Sequence, residues 1–489
     1  MSEMKRLHLA AIFVSFLKGL RDFIIPIVVS FFLGGTNQAE GFFRFEYIWL
    51  AILIFMFLYG VAHWFTFRYQ ISDGELYVQK GIVVKKKRYI QKKRIQSIDI
   101  SAGIVQRLFG LVRVKIETAG GGAEPEVNLI AVTKEEAETI RHRLLHQHTQ
   151  KDELQEVEGF NEMGEAREVE PDESWDLGRR RLVIAALTSS GIGLTLSAVG
   201  ALFSQIEQFI PETIYERTFG FVFGGNISFL FGLLLTIFLI AWMLSSIGTI
   251  LKYGSFKIEK FDEELVITRG LLEQRQLSLH LHRITAIRLV RNIFRQPFGY
   301  TSIYVESAGG GSNEEQLSTV LIPLIHVREL EEIFNRFLQS YPVYHDLHPA
   351  PKRALIRFII RNTMIPLIGT VLASYYFFPY GYVGAIVIIV MVFLAYLQYR
   401  DTGIAVKGSF IWLRFRKLSQ VTVIATKNKI QTAEKQVSFL QGKRNLSNVQ
   451  ISVLSSIVGK TFLVRDIESH HGDSCMGWYS YEKNHDRAE

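Results

Sequence analysis

The chain has 489 residues, 48% of them hydrophobic, yet 21% are charged and the net charge is +8. That is too apolar for one soluble domain and too charged for a bundle confined to lipid, so apolar spans and watery domains must alternate. The single cysteine, Cys475, excludes an intramolecular disulfide and a zinc site built from several cysteines, and suits a reducing cytoplasmic face.

In chain order the apolar stretches are Leu9 to Leu33, Tyr47 to Phe65, Leu182 to Phe203, Ile227 to Leu251, Ala354 to Phe378 and Tyr382 to Leu397. About 20 apolar residues cover a hydrocarbon core of about 30 Å, so six spans in three pairs are expected. No small-residue cleavage site follows the first stretch, which is expected to stay in the mature protein. The loops inside the pairs hold only Arg44 and Arg217 as basic residues, whereas the segments between pairs carry runs such as Lys85 to Arg88 and Arg179 to Arg181. The positive-inside rule therefore predicts a cytoplasmic amino terminus and cytoplasmic intervening domains, in what is expected to be a multi-pass protein of the plasma membrane. Arg21 and Arg361 each lie five residues before a proline in the segment that opens a pair. Charges at mid-span are functional candidates, and those near an end snorkel to lipid phosphate. On the other reading, residues 8 to 20 and 352 to 361 form amphipathic interfacial helices.

After the first pair the hydrophobic period changes to two. Glu75 to Val78, Ile82 to Val84, Ile95 to Ile98 and Val112 to Thr118 read as short strands separated by turns. Thr133 and Glu136 form a capping box that opens a helix with Ile140, Leu144 and Leu145 on its buried stripe. Residues 151 to 177 follow as an acidic linker; up to Asp176 it holds eleven acidic residues against Lys151 and Arg167, too little apolar surface to fold.

The first folded unit then returns. Arg94-Ile95-Gln96-Ser97-Ile98, Phe109-Gly110 and Glu117-Thr118-Ala119-Gly120-Gly121-Gly122 reappear as Arg283-Ile284-Thr285-Ala286-Ile287, Phe298-Gly299 and Glu306-Ser307-Ala308-Gly309-Gly310-Gly311, at a constant offset of 189 (283 minus 94). A third, fainter copy lies at an offset of 335 (429 minus 94), with Lys429-Ile430-Gln431, Gln441, Leu446, Val449 and Ile451 matching, but it lacks the glycine triplet and the Phe-Gly. The second closing helix repeats the stripe as Leu330, Ile333, Phe334 and Phe337; the third, with Gly472 and Gly477, is expected to be short or broken. The boundaries this gives are 1–67, 178–252 and 344–400 for the span pairs and 68–150, 253–343 and 401–489 for the domains.

These motifs resemble the second bacterial pleckstrin-homology family. The run is a strand ending in glycine, a basic turn, R-I-x-x-I, a Leu-Phe-Gly or Pro-Phe-Gly, and E-[TS]-A-G-G-G. The arrangement of three such domains, each after a span pair, is similar to the YdbT-like membrane proteins of Bacillus and relatives. The resemblance implies a polytopic helical membrane protein carrying three PH-like domains, each of two near-orthogonal antiparallel sheets capped by a carboxy-terminal helix. It also implies a smaller membrane partner with one span pair and one such domain, hence an oligomer.

Candidate sites follow from the residues. Lys85, Lys86, Lys87, Arg88, Lys92 and Lys93 form a basic turn that suits anionic headgroups, at about 1 kcal/mol per charge, or that merely enforces topology; Arg21 and Arg361 are the other headgroup candidates. Arg94 with Glu117, and Arg283 with Glu306, read as structural pairs across strands. Gly120, Gly121, Gly122, Gly309, Gly310 and Gly311 lead from strand to strand rather than into a helix, so they suit hairpins or domain contacts, not a phosphate loop. His142 and His146 have metal-pair spacing without a third ligand, and His470-His471 is no stronger. No nucleophile motif, paired carboxylates or nucleotide fingerprint appears, so no enzyme, cofactor, metal or nucleic-acid partner is expected. The lipid bilayer is an obvious partner. The expected function is a scaffold or complex subunit in envelope-stress or antimicrobial-peptide protection. A sensor or handler of anionic lipid headgroups is the alternative, and a transporter or channel component the third.

Overall fold

The computed structural model describes residues 4–33, 45–72, 75–118, 126–145, 170–189, 191–206, 227–307, 319–344, 346–376, 381, 384–455 and 459–480. The glycine triplets, His146 and most of the acidic linker lie outside these residues. The chain forms two compact units, Met1–Ser174 with Glu259–His280, and Trp175–Ile258 with Leu281–Glu489. The second repeat is thus shared, with Glu259–His280 in the first unit and the rest in the second.

The first unit opens with the helices α1 (Ala10–Leu33) and α2 (Phe45–Thr66), which pack with Phe16 edge-on to Phe57 at 5.9 Å. Two antiparallel meanders follow, β1 (Arg68–Ser72), β2 (Glu75–Lys80) and β3 (Lys86–Gln91), then β4 (Ile95–Ala102), β5 (Leu111–Thr118) and β6 (Val127–Thr133). The turn into β3 needs glycine, because Gly81 has φ +116° and a Cβ there would lie 2.0 Å from the Val84 carbonyl oxygen. A short helix α3 (Ile104–Leu108) joins β4 to β5, and α4 (Lys134–Leu145) closes the domain. Alternation places Leu76, Ile90, Ile98, Val114, Ile116 and Leu129 in one core with Ile140 of α4. Each such aliphatic, fully buried, contributes about 1.5–3 kcal/mol. Half of the expected capping box forms: the Glu136 N–H donates to Thr133 Oγ1 at 3.3 Å, while the Glu136 carboxylate pairs with Lys5 at 2.9 Å instead of reaching back.

The last residues of the acidic linker are ordered, in β7 (Glu173–Asp176). The second repeat begins with β8 (Lys257–Phe261), β9 (Glu264–Arg269) and β10 (Gln274–His280), and the sheet runs β6-β5-β4-β10-β9-β8-β7. The first domain therefore continues into the second by strand pairing, with β4 antiparallel to β10, Ser97 opposite Leu279 and Ser101 opposite Arg275.

In the second unit the stretch expected as one span from Leu182 is interrupted. Helix α5 (Gly178–Leu187) ends at Thr188, and α6 (Ile192–Ile206) starts afresh before α7 (Ile227–Tyr253). The break is held to α7 by Ser189 and Ser245, their hydroxyls 2.9 Å apart. The remaining second-repeat strands are β11 (Ile284–Arg291), β12 (Tyr300–Ser307) and β13 (Thr319–His326), closed by α8 (Leu330–Phe337), whose four expected core residues are all buried. After β14 (His348–Pro349) come α9 (Leu355–Tyr376) and α10 (Gly384–Arg400). Helix α9 runs unbroken through Arg357, Arg361 and Pro366, directly after a 3-10 turn over Lys352–Ala354, so residues 355 to 361 are continuous with the apolar helix that follows.

The third repeat is β15 (Gly403–Lys407), β16 (Phe410–Arg416), β17 (Gln420–Thr426), β18 (Ile430–Gln436), α11 (Phe439–Gly442), β19 (Leu446–Val453), β20 (Lys460–Glu468) and α12 (Ser469–Tyr479). Its sheets repeat the first unit's scheme, in the orders β13-β12-β11-β17-β16-β15-β14 and β18-β19-β20. The expected short or broken final helix is instead a continuous one of 11 residues. Gly472 belongs in it because a Cβ would stand 2.6 Å from Ser447 Oγ. The same β-bulge recurs at Gln96, Thr285 and Gln431, matched positions of the three repeats.

Among the described residues, Phe231–Tyr253 and Lys352–Tyr376 are long and apolar enough to cross a membrane, and Leu50–Thr66 and Gly384–Arg400 are shorter apolar helices. Their large apolar side chains face outward, Phe55 at 70% and Ile365 at 80% exposure, a surface that water would not leave uncovered.

Candidate functional site

Helix α9 is tied to the third domain by one buried carboxylate. Asp466 in β20 is fully buried; its Oδ1 accepts from Arg357 Nε and Gln441 Nε2, both at 2.8 Å, and its Oδ2 from Arg361 Nη1 at 2.8 Å. Its own N–H donates to Asn448 Oδ1 at 3.0 Å, and its φ of +54° is a left-handed conformation that costs most residues energy. Burial pushes this carboxyl up, but the hydrogen bonds from Arg361, Gln441 and Arg357 outweigh it and hold the group below its ordinary value. The Arg361 guanidinium also lies over the Phe358 ring, 4.6 Å from its centroid.

Beside this tie, between the amino-terminal part of α9, the carboxy-terminal end of α10 and the strands, lies a cavity of about 660 Å³. Six cations line it: Arg288, Arg361, Arg416, Lys417, Lys460 and Arg465. Three carboxylates answer them. Glu306, buried, accepts from Arg288 at 2.5 Å and Lys460 at 3.0 Å; Asp401 pairs with Arg416 at 2.5 Å; Asp466 holds Arg361. Lys417 and Arg465 have no ion pair among the described residues. Burial pushes the Lys460 ammonium down, against the pull of Glu306, and burial with the nearby Arg361 does the same to the Arg465 guanidinium. The cavity thus holds net positive charge at reduced hydration, which suits an anion.

One repeat position supports a domain–helix tie twice in this unit, indirectly through Asp466 in the third domain and directly in the second. Gln441 reaches Asp466, and its second-repeat equivalent, Arg295, donates to Thr188 Oγ1 at 3.1 Å and the Ala185 carbonyl at 3.3 Å, at the carboxy-terminal end of α5. A half-buried cation there satisfies a carbonyl that the helix end leaves free.

The other expected residues distribute differently. Lys85, Lys86, Lys87 and Lys93 are exposed and Lys92 is half-buried. Arg88 is engaged in its own domain, in an ion pair with the Glu126 carboxylate and a 3.0 Å bond to the Glu126 carbonyl. Arg21 is exposed on α1 beside Asp22. The two strand pairs are corrected. The bulge at Gln96 and the β4–β5 register leave Arg94 in a 3-10 turn and put Ser97 opposite Glu117, whose carboxylate accepts from Ser97 Oγ at 3.2 Å. Likewise Arg283 Nε meets His282 Nε2 at 3.1 Å, and Glu306 is taken by Arg288 and Lys460. Glu468, His470 and His471 bring ligand atoms within 4.8 Å of one another, but Glu468 is already shared by Arg353 at 3.0 Å and His470 at 3.2 Å.

Asp466 and the cavity were not foreseen. The available signal was an aspartate within the alternating run Phe462, Val464, Ile467, where a buried charge demands a partner.

The repeats found here match the family model described as Bacterial PH domain three times, over residues 23–148, 208–340 and 363–481. The chain is also 34% identical to the UPF0699 transmembrane protein YdbT of Bacillus subtilis (strain 168), over 99% of either chain. With three matched copies and a relative aligned end to end, the chain belongs to the bacterial PH-domain family, as a protein that carries the domain three times.

Proposed function

We propose that this chain is a non-enzymatic membrane scaffold, a subunit of a complex in which a smaller PH-domain membrane protein takes part, protecting the envelope against stress or membrane-active peptides. The three helix pairs serve as six spans, with the amino terminus and the PH-like domains on the cytoplasmic side. The observation that carries the scaffold reading is the pairing of β4 with β10 and of β11 with β17. Domains joined by backbone hydrogen bonds form a built array, whereas a ligand-gated switch would leave them separable. The test is extraction in mild detergent followed by mass analysis: a co-purifying protein with one such domain supports the reading, and a chain that always emerges alone removes it.

A second reading rests on the cavity. Six cations against three carboxylates, beside the ends of two apolar helices, suit an anionic lipid headgroup. Lipid analysis of the same extract tests it, since anionic lipid must exceed its share of the membrane.

A further inference from the structure

The chain uses one strand junction twice, and among the described residues its two halves recur, in the first and third domains, without such a partner. In the first junction Ser97 of β4 faces Leu279 of β10; in the second, Ala286 of β11 faces Ala425 of β17. Ala286 is the repeat equivalent of Ser97, and Leu279 and Ala425 are both equivalents of Ile90, so the register is the same to the residue. Among the described residues, β3 pairs only with β2 and β18 only with β19. These are the equivalents of the strands that mate inside the chain.

Burial shows what mating does. At the position of Tyr89, the mated equivalents Ser278 and Ile424 are each 1% exposed, whereas Tyr89 is 63% exposed. At the partner position Ser97 and Ala286 are buried, and Ala286 packs into the third domain's core, whereas the equivalent Thr432 is exposed. All three are small, as a residue that caps a neighbour's core must be. We propose that β18 of one copy adds to the β3 edge of a second copy of this chain as an antiparallel strand, in the register of the two internal junctions, so that copies join head to tail.

In that register Thr432 faces Ile90, Ala433 faces Tyr89 and Glu434 faces Arg88. A carboxylate then meets the guanidinium that Glu126 already holds, an opposite-charge pair of the kind that stabilises cross-strand neighbours. Lys435 would face Lys87, but its ammonium is drawn aside by Ser469 Oγ at 2.9 Å and Asp473 Oδ1 at 2.7 Å. A head-to-tail contact of this kind is heterologous, so it closes into a ring or continues as a row. The competing explanation of Lys86 and Lys87 is that they guard a bare edge against pairing.

The proposal builds on the scaffold reading, and a cross-link reports the contact itself. Two full-length chains with different tags are co-expressed, one with Tyr89→Cys and the other with Ala433→Cys, and membranes are oxidised. Cys475 stays silent, being buried with its thiol pushed up to about 12 by burial. The expected result is a disulfide joining the two tags. Pairing Tyr89→Cys with Gln436→Cys should give none, since three residues displace the partner by about 10 Å. Arg88→Glu should lower the yield several-fold, and Glu434→Arg in the other chain should restore it. No mixed-tag product from membranes that still yield a multi-protein particle would overturn the head-to-tail contact and leave the scaffold reading intact. Equal yield from the displaced pair would overturn the register. A single-domain protein captured on Tyr89→Cys in place of the second copy would overturn the choice of occupant.

Discussion

Arg361 donates to Asp466 at 2.8 Å across 105 residues of sequence, joining a helix long enough to cross a membrane to the last strand of the third domain. An arginine expected to face lipid phosphate is thus committed to the protein itself, and the same residue lines the basic cavity.

Replacing Asp466 by alanine strands Arg357 and Arg361 without their carboxylate. The expected cost is about 3–5 kcal/mol, the usual penalty for breaking a buried pair from one side. Arg361→Gln should cost clearly less, because that side chain is 34% exposed and Arg357 and Gln441 remain. Thermal unfolding of the full chain in one detergent compares the two.

The same carboxylate sets an acid limit. Its folded value is held below the ordinary one, so its contribution is complete above the unfolded value of about 3.9 and is lost as pH falls through the folded value. Wild-type protein should therefore lose stability steeply below about pH 4, while Asp466→Asn, less stable at neutral pH, should lose less over that window. Parallel slopes would assign the acid loss to other carboxylates.

The repeated domain was legible in the sequence because hydrophobic alternation and the constant 189-residue offset both report side chains that make the core. The junctions were not, because β4 meets β10 through backbone groups that every sequence carries. The trace they leave is a small residue at Ser97 and Ala286, visible only once the register is known. The partners of Glu306 were missed for a related reason: one bulge, at Thr285, moves the register so that Arg288 rather than Arg283 comes within reach. The interruption after Leu187 was hidden because its cap, Arg295, lies over 100 residues away.

The cavity makes a compositional prediction. Arg465→Gln with Lys417→Gln removes the two cations that lack an ion pair among the described residues while leaving Asp466, Asp401 and Glu306 with theirs. Anionic lipid retained per chain should fall at least two-fold at unchanged thermal stability. Unchanged lipid content would leave the cavity as a structural charge network.

Topology is checked by reporter fusions after Gln147, Asp346 and Glu489, all expected on the cytoplasmic side, and within the loops at Gln38 and Glu212, expected outside. The basis is the asymmetry of lysine and arginine between the loops. One domain reporting from outside would reduce the number of spans and reverse the placement of a helix pair.

Whether the domains are parts of a built assembly is decided by the mass of the particle released intact from the membrane. A built assembly gives a particle holding at least two PH-domain polypeptides, further copies of this chain or a smaller protein. A single chain of 56.0 kDa, released alone from membranes that were never overloaded with it, would rule such an assembly out.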